Sequence, residues 1–420
     1  MTLSRLFVDL SLLRENAAFR QVLIARTISI MGLGMLAVSV PVQVYDLTGS
    51  SFYVGIVSAL DGAGLFAGLL LGGVLSDLYD RRRLILFARS VCGFGFVALA
   101  ANTYFGPSSV IAICALAFWD GFFGAIGVAA LMAAMPNIVG RENIMQAGAL
   151  GMMAARFATI ISPAIGGIVI AWQGVGLNYV IAAVGTLITV LTLLGLPTMV
   201  PPRLEMHHPL RMLSQAFSFV LGRRAILAIF AFGSLLTLSS AIRVLFPALT
   251  TETYGGGAFE VGLLYSAVPV GATLGAVLSG WARTVVKPEA VMIGMCATAF
   301  ACVMALGLMP STYLALPVLA LYGYATAIAS LLQYSMIQAE TPDHYLGRIN
   351  SLWSAQEALG DIVGALMIGA LAQAFLPAGS ILVLGAAAIG ATAILALLLR
   401  LADRRAAAAE PVADTQGIRS

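Results

Sequence analysis

Seven ionisable side chains stand inside long apolar stretches of this chain: Arg26, Asp61, Asp120, Arg156, Arg243, Glu357 and Asp361. A charge within an apolar span is costly, so such a group faces a water-filled cavity or a partner. Carboxylates in that setting can take up and release protons. Guanidinium groups can neutralise an anionic solute or offset an acid. Asp120 and Arg156 fall near the middle of consecutive spans, counted at about 1.5 Å per residue, and are expected to pair. Glu357 and Asp361 are one helical turn apart on one face, where like charges disfavour joint ionisation. Asp120, Asp361, Glu357 and Asp61 are therefore the candidate proton-coupling acids. Arg26, Arg156 and Arg243 are the candidate anion-binding groups. The alternative for each is a structural ion pair that ties spans together.

The elements that must carry these groups are transmembrane helices. Of 420 residues, 60% are hydrophobic and only 10% charged, with a mean hydropathy of +0.98. Soluble chains average about 25% charged residues, so this one lacks the charge to cover a water-facing surface. A soluble enzyme, a nucleic-acid binder and a disordered scaffold are excluded. Twelve apolar runs are long enough to cross a bilayer: 19–45, 53–76, 84–104, 110–135, 146–171, 177–197, 225–250, 260–282, 289–309, 313–338, 348–375 and 380–401. The expected fold is all-α, with twelve transmembrane helices arranged as two six-helix bundles related by a parallel repeat. The boundaries are a cytoplasmic N-terminus (1–18), bundles at 19–197 and 225–401, a Pro- and His-containing linker (198–224) and a polar tail (402–420). The start lacks the apolar core of a cleavable signal and carries Asp9, Arg14 and Glu15.

Apart from Arg26, Arg156 and Arg243, the 22 Lys and Arg residues fall at the termini, in the even-to-odd loops and at the span ends beside them. The odd-to-even loops have none. Positive charge stays on the cytoplasmic side, so both termini are expected there, in a multi-pass bacterial inner-membrane protein surrounded by lipid.

The two halves match at one offset. Gly55, Gly64, Gly68 and Gly73 correspond to Gly262, Gly271, Gly275 and Gly280, each 207 residues on. Gly140-Arg141-Glu142-Asn143 matches Gly347-Arg348-Ile349-Asn350 at the same offset. Such recurrence marks a duplication. Parallel halves enclose a central site, and glycines at this spacing let helices approach closely. After span two, Gly73 and Asp77 stand next to Arg81 and Arg82, and this acid with its arginines is expected to form a cytoplasmic charge lock between spans.

Several chemistries have no support. The single lysine, Lys287, is followed by Pro288, so no nucleotide-binding P-loop exists. His207, His208 and His344 have no metal-ligand spacing, and Cys92, Cys114, Cys296 and Cys302 lie in apolar runs without a Cys-x-x-Cys pattern. No metal, no cofactor, no nucleic-acid partner and no enzyme activity are expected.

The segment Gly73-Val74-Leu75-Ser76-Asp77, continued by Arg81 and Arg82, resembles the span-two-to-three motif of the major facilitator superfamily. Leu78 and Asp80 depart from it, at places where the motif has Arg and Gly. Ser162-Pro163 with Gly166-Gly167 is similar to the span-five motif of the superfamily's antiporters. Within the superfamily the chain looks most like siderophore exporters, through Val40-Pro41-Val42-Gln43, Trp119-Asp120-Gly121-Phe122-Phe123, Ile161-Ser162-Pro163, Arg243-Val244-Leu245 and Leu331-Leu332-Gln333-Tyr334. The resemblance implies proton-driven export of a catecholate siderophore through a cavity lined by spans one, four, seven and ten. Those spans offer Arg26, Gln43, Trp119, Phe122, Arg243, Tyr322, Tyr324, Gln333 and Tyr334 as candidate substrate contacts, with Arg156 beside them.

The expectation is a secondary exporter, acting as a monomer, whose partners are a siderophore or drug-like aromatic solute and protons. A proton-coupled multidrug or macrolide efflux pump of the same fold is the alternative. A membrane assembly subunit that transports nothing is the alternative of another class.

Overall fold

The computed structural model describes residues 10–201 and 217–409. Most of the expected linker, with His207 and His208, lies outside the described residues, as do the side chain of His344 and the end of the tail. Among the described residues, twelve helices are long and apolar enough to cross a membrane. They are α1 (Ala17–Thr48), α2 (Ser51–Leu78), α3 (Arg81–Tyr104), α4 (Val110–Val139), α5 (Ile144–Gln173) and α6 (Val175–Leu193). The second set is α7 (Ile226–Tyr254), α8 (Ala258–Val277), α9 (Pro288–Leu306), α10 (Thr312–Glu340), α11 (Asp343–Ala374) and α12 (Pro377–Ala409). Helices suit lipid because each satisfies its own backbone hydrogen bonds. The last helix runs on past the expected start of the tail at 402, as an Ala-rich segment of high helix propensity should.

With an even number of crossings, the start of α1 and the end of α12 lie on one face, called here the terminal face. In the first half α2 packs on α4, α1 on α5 and α6, and α3 on α4 and α6. In the second, α8 packs on α10, α9 on α10 and α12, and α7 on α11. The halves meet where α2 crosses α11 and where α5 crosses α8. Buried polar ties hold the first bundle together. The Gln43 amide donates to Thr103 Oγ1 at 2.9 Å and its carbonyl accepts from the Tyr179 hydroxyl at 2.7 Å; Asn178 Nδ2 donates to Ser39 Oγ at 2.8 Å.

The repeated glycines do the same work in both halves. A side chain at Gly64 would run into the carbonyl of Phe118 on α4, and one at Gly271 into the carbonyl of Ala320 on α10. Gly121 lies on the Asp61 carbonyl, and Gly323 lies on that of Val268, which is 207 residues beyond Asp61. By this packing Tyr322 stands in the second half where Asp120 stands in the first. The lattice of the repeat is kept, while at these matched positions only the first half carries acids.

Gly64→Val should therefore push α2 off α4 and cost about 1–3 kcal/mol, the usual penalty of overpacking. A methyl group at Gly73 would meet no atom within 4 Å, so Gly73→Ala should leave the fold intact. Thermal unfolding of the detergent-purified variants checks this contrast; equal melting temperatures would refute it.

Candidate functional site

Helix α7 is not regular. After Arg224–Ser240 the chain tightens into a 3₁₀ turn over Ala241–Leu245, then passes through a short α segment to a π turn at Leu249–Tyr254. Pro247 explains the break. It has no N–H to donate to the carbonyl four residues back, and its ring crowds that carbonyl. The carbonyl belongs to Arg243, and the Tyr265 hydroxyl of α8 donates to it at 2.9 Å instead. Held in this way, Arg243 Nη2 meets Asp361 Oδ2 of α11 at 3.0 Å. The other carboxylate oxygen of Asp361 accepts from the Ser240 hydroxyl. Both members of the pair remain accessible, at 51% and 42%, so they face a wet space within the span.

Asp361 is thus compensated by a cation, and Glu357 has its own partner, the indole N–H of Trp353 at 2.9 Å. The two acids share a face but do not form an isolated like-charge pair. The Arg243–Asp361 contact joins residues 118 apart, and their spacing gives no hint of it. The one signal in the sequence is that the two stand at similar depths counted from Ile226 and Tyr345.

Asp61 faces the same space from the other half. The next residue, Gly62, lies 2.9 Å at its Cβ position from Ile362, and Asp61 is in electrostatic reach of both Arg243 and Asp361. Asp120 comes next, in reach of Asp61 on one side and of Arg89 and Cys92 on the other. Its Oδ1 is buried with no hydrogen-bond partner. The expected Asp120–Arg156 pair does not form: neither residue belongs to an ion pair among the described residues. Spans four and five are consecutive in sequence, but α4 packs mainly on α2 and α3. Arg156, on α5, is exposed elsewhere.

Arg89 is the buried cation that sequence reasoning misses, because it follows the basic cluster at 81–83 and counts as a span-end charge. It sits well inside α3 at only 9% exposure and shares a pocket with Arg26 of α1. Gln43, a candidate substrate contact, is buried and spends both polar ends inside the first bundle. Trp119 also has a structural tie, donating to the Val91 carbonyl at 2.9 Å. Phe122 stacks on Phe118 and meets Phe123 edge-on, so α4 presents an aromatic cluster within a turn of Asp120. In the second half the Tyr322 hydroxyl is 3.0 Å from Ser239 Oγ, and Tyr324 accepts from Trp281 at 3.3 Å. Gln333 is buried with an unpartnered Nε2, and Tyr334 is exposed.

The two faces differ. At the face opposite the termini, Gly55 of α2 lies against Ala365 and Gly369 of α11, and Gly167 of α5 lies against Ala258 and Gly262 of α8. The Tyr45 hydroxyl donates to Glu252 across the halves there. Toward the terminal face, Gly73 and Gly280 have nothing against them. The halves touch closely at one face, while at the other these two glycines have open space beside them.

The expected Asp77–arginine lock is not made. Asp77 is exposed and forms no ion pair among the described residues. Arg81 instead donates to Asn137 Oδ1 at 2.7 Å, and Arg82 donates to the Leu194 carbonyl at the end of α6. Asp80 caps α3, accepting from the backbone N–H groups of Arg82 and Met199 at 3.0 Å. An acid at a helix N-cap satisfies otherwise free N–H groups. This ties the turn to the first bundle alone, leaving Gly73 and Asp77 exposed.

A double-mutant cycle on Arg243→Gln and Asp361→Asn should give a coupling of about 1 kcal/mol, modest because both side chains are partly solvated. The melting temperatures of the two single variants and the double variant give the value, and strict additivity would mean that the pair contributes nothing to stability.

The description "Transmembrane secretion effector" belongs to the family whose model matches residues 9–417. The chain is 46% identical over 392 residues to the Enterobactin exporter EntS of Citrobacter koseri, covering 93% of this chain and 94% of that one. It is 46% identical over 373 residues to the Enterobactin exporter EntS of Escherichia coli O1:K1 / APEC, covering 89% of each. Among solved structures, the nucleoside transporter NupG superposes with a TM-score of 0.73 at 14% identity, over 91% of this chain and 99% of that one. A bacterial homologue of the iron transporter ferroportin, in an inward-facing state, gives 0.63 at 15% identity, over 93% and 100%. Those two likenesses speak for the fold alone. By the family match and the near full-length identities, the chain belongs to the transmembrane secretion effector family of the major facilitator superfamily.

Proposed function

We propose that this protein exports a catecholate siderophore of the enterobactin type across the bacterial inner membrane, in exchange for protons. The observation that carries the substrate is the 46% identity, over about nine-tenths of both chains, to proteins named enterobactin exporters. Both termini lie in the cytoplasm, as the placement of Lys and Arg argues. On that reading the terminal face, with open space beside Gly73 and Gly280, is cytoplasmic and the protein is poised to load substrate.

The mid-membrane cluster supports the mechanism. Asp61 is in electrostatic reach of Asp120, Asp361 and Arg243, so acids of both halves stand close together. Protons entering from outside neutralise an excess of negative charge, and the Arg243–Asp361 pair re-forms or opens as the halves rock. Differential occupancy of the two states by substrate and proton is what drives the exchange. The catechol rings stack on the α4 aromatics, and their hydroxyls hydrogen-bond to the acids above them.

Asp120→Asn and Asp61→Asn are expected to abolish uphill movement in proteoliposomes carrying a pH gradient, with folding and insertion retained. Gradient-driven transport at the wild-type rate in both variants would exclude them as coupling groups. For the substrate, deleting the gene in a strain that makes a catecholate siderophore should lower its level in the medium and raise it in the cell. Unchanged secretion together with new sensitivity to drugs would assign the protein to drug efflux instead.

A further inference from the structure

Two arginines, Arg26 of α1 and Arg89 of α3, line one pocket inside the first six-helix bundle. The remaining wall comes from α1, α3, α4 and α6 and is apolar, save for Ser29 and Thr189. Arg89 is 9% exposed and forms no hydrogen bond or ion pair among the described residues; the same holds for Arg26, whose side chain is more open. The two cations are in electrostatic reach of one another. Asp120 is the carboxylate in reach of Arg89, but it stays beyond ion-pair distance and is shared with Asp61.

Such an arrangement is unfavourable as it stands. Burying one charge without a partner is expensive, and two of the same sign oppose each other as well. A guanidinium has five N–H donors and no acceptor capacity, so it needs anions or carbonyls around it. Here the donors point into a space rather than at a carboxylate. Gly127 lines that space: a methyl there would only touch Arg89 Nε, at 3.6 Å, whereas a branched side chain would reach into it. Thr189 donates its hydroxyl to the Ala25 carbonyl at 3.3 Å, and Ser29 lies 3.4 Å from it in a loose contact, so Ser29 is the hydroxyl whose proton can turn to the pocket. The pocket has room for one water-sized species.

We propose that Arg26, Arg89 and Ser29 form a binding site for a single small inorganic anion, for which chloride serves as the probe. The site lies inside the first bundle, next to Asp120, and does not rest on the identity of the exported solute. Its ligand supplies negative charge between the two arginines and so bridges α1 and α3.

The test is a thermal-unfolding titration of the detergent-purified full chain with sodium chloride replacing sodium gluconate at fixed ionic strength. The wild type should show a saturable rise in melting temperature of about 2 °C at tenfold excess over half-saturation. Arg89→Gln should lose the saturable component, and Arg26→Gln should weaken half-saturation at least tenfold. If Arg89→Gln fails to fold, Gly127→Val serves in its place: it fills the pocket while keeping both arginines and should also lose the response. Three results would overturn the site: identical curves in chloride and gluconate, a full chloride response in the folded variants, or a response to sodium acetate with none to chloride. The last would mark the pocket as one for an organic carboxylate.

Discussion

Lipid offers neither hydrogen bonds nor counter-ions, so each polar group within a span must find its partner inside the protein or border water. The architecture follows from that constraint. The first bundle is stitched by Gln43, Tyr179, Thr103, Asn178 and Ser39, whose polar atoms are consumed by one another. Where the backbone itself loses a donor, at Pro247, a tyrosine from the next helix fills in, and the repair sets Arg243 against Asp361. What remains after such closed networks are removed includes Asp120, Arg26 and Arg89, which make no ion pair among the described residues.

The duplicated lattice and the chemistry are built from different residues. Small residues at matched positions let α2 lie on α4 and α8 on α10, with backbone touching backbone. Close approach of this kind gives the van der Waals contact on which association in a membrane depends. On that shared frame the halves carry unlike side chains, with Asp61 opposite Val268 and Asp120 opposite Tyr322. The two similar bundles meet along α2–α11 and α5–α8.

The two faces have different fastenings. The face opposite the termini is held by glycine seams and by the Tyr45–Glu252 hydrogen bond. At the terminal face the arginines after α2 are engaged within their own bundle, on Asn137, Leu194 and Ser76. A motif that reads as a latch between spans is, in this conformation, an anchor of one turn to its own half. Asp80 takes the capping role at the place where the superfamily's motif carries a glycine, and Asp77 stays exposed.

Hydropathy and charge placement were enough for the class, the number of spans and the repeat, because length and apolarity are one-dimensional requirements of a bilayer. The glycine rows were legible for the same reason: their period is a property of the helix. Partnerships were not. Asp120 and Arg156 are close in sequence and depth, yet their helices hardly pack, while Arg243 and Asp361 are far apart in sequence and touch. Arg89 lay hidden behind a run of basic residues whose position is explained by topology, and only burial separates it from them. Which helices become neighbours depends on the shapes of their faces and on breaks such as the one at Pro247. The order of spans along the chain carries no such information, so the tertiary structure alone decided which buried charges meet.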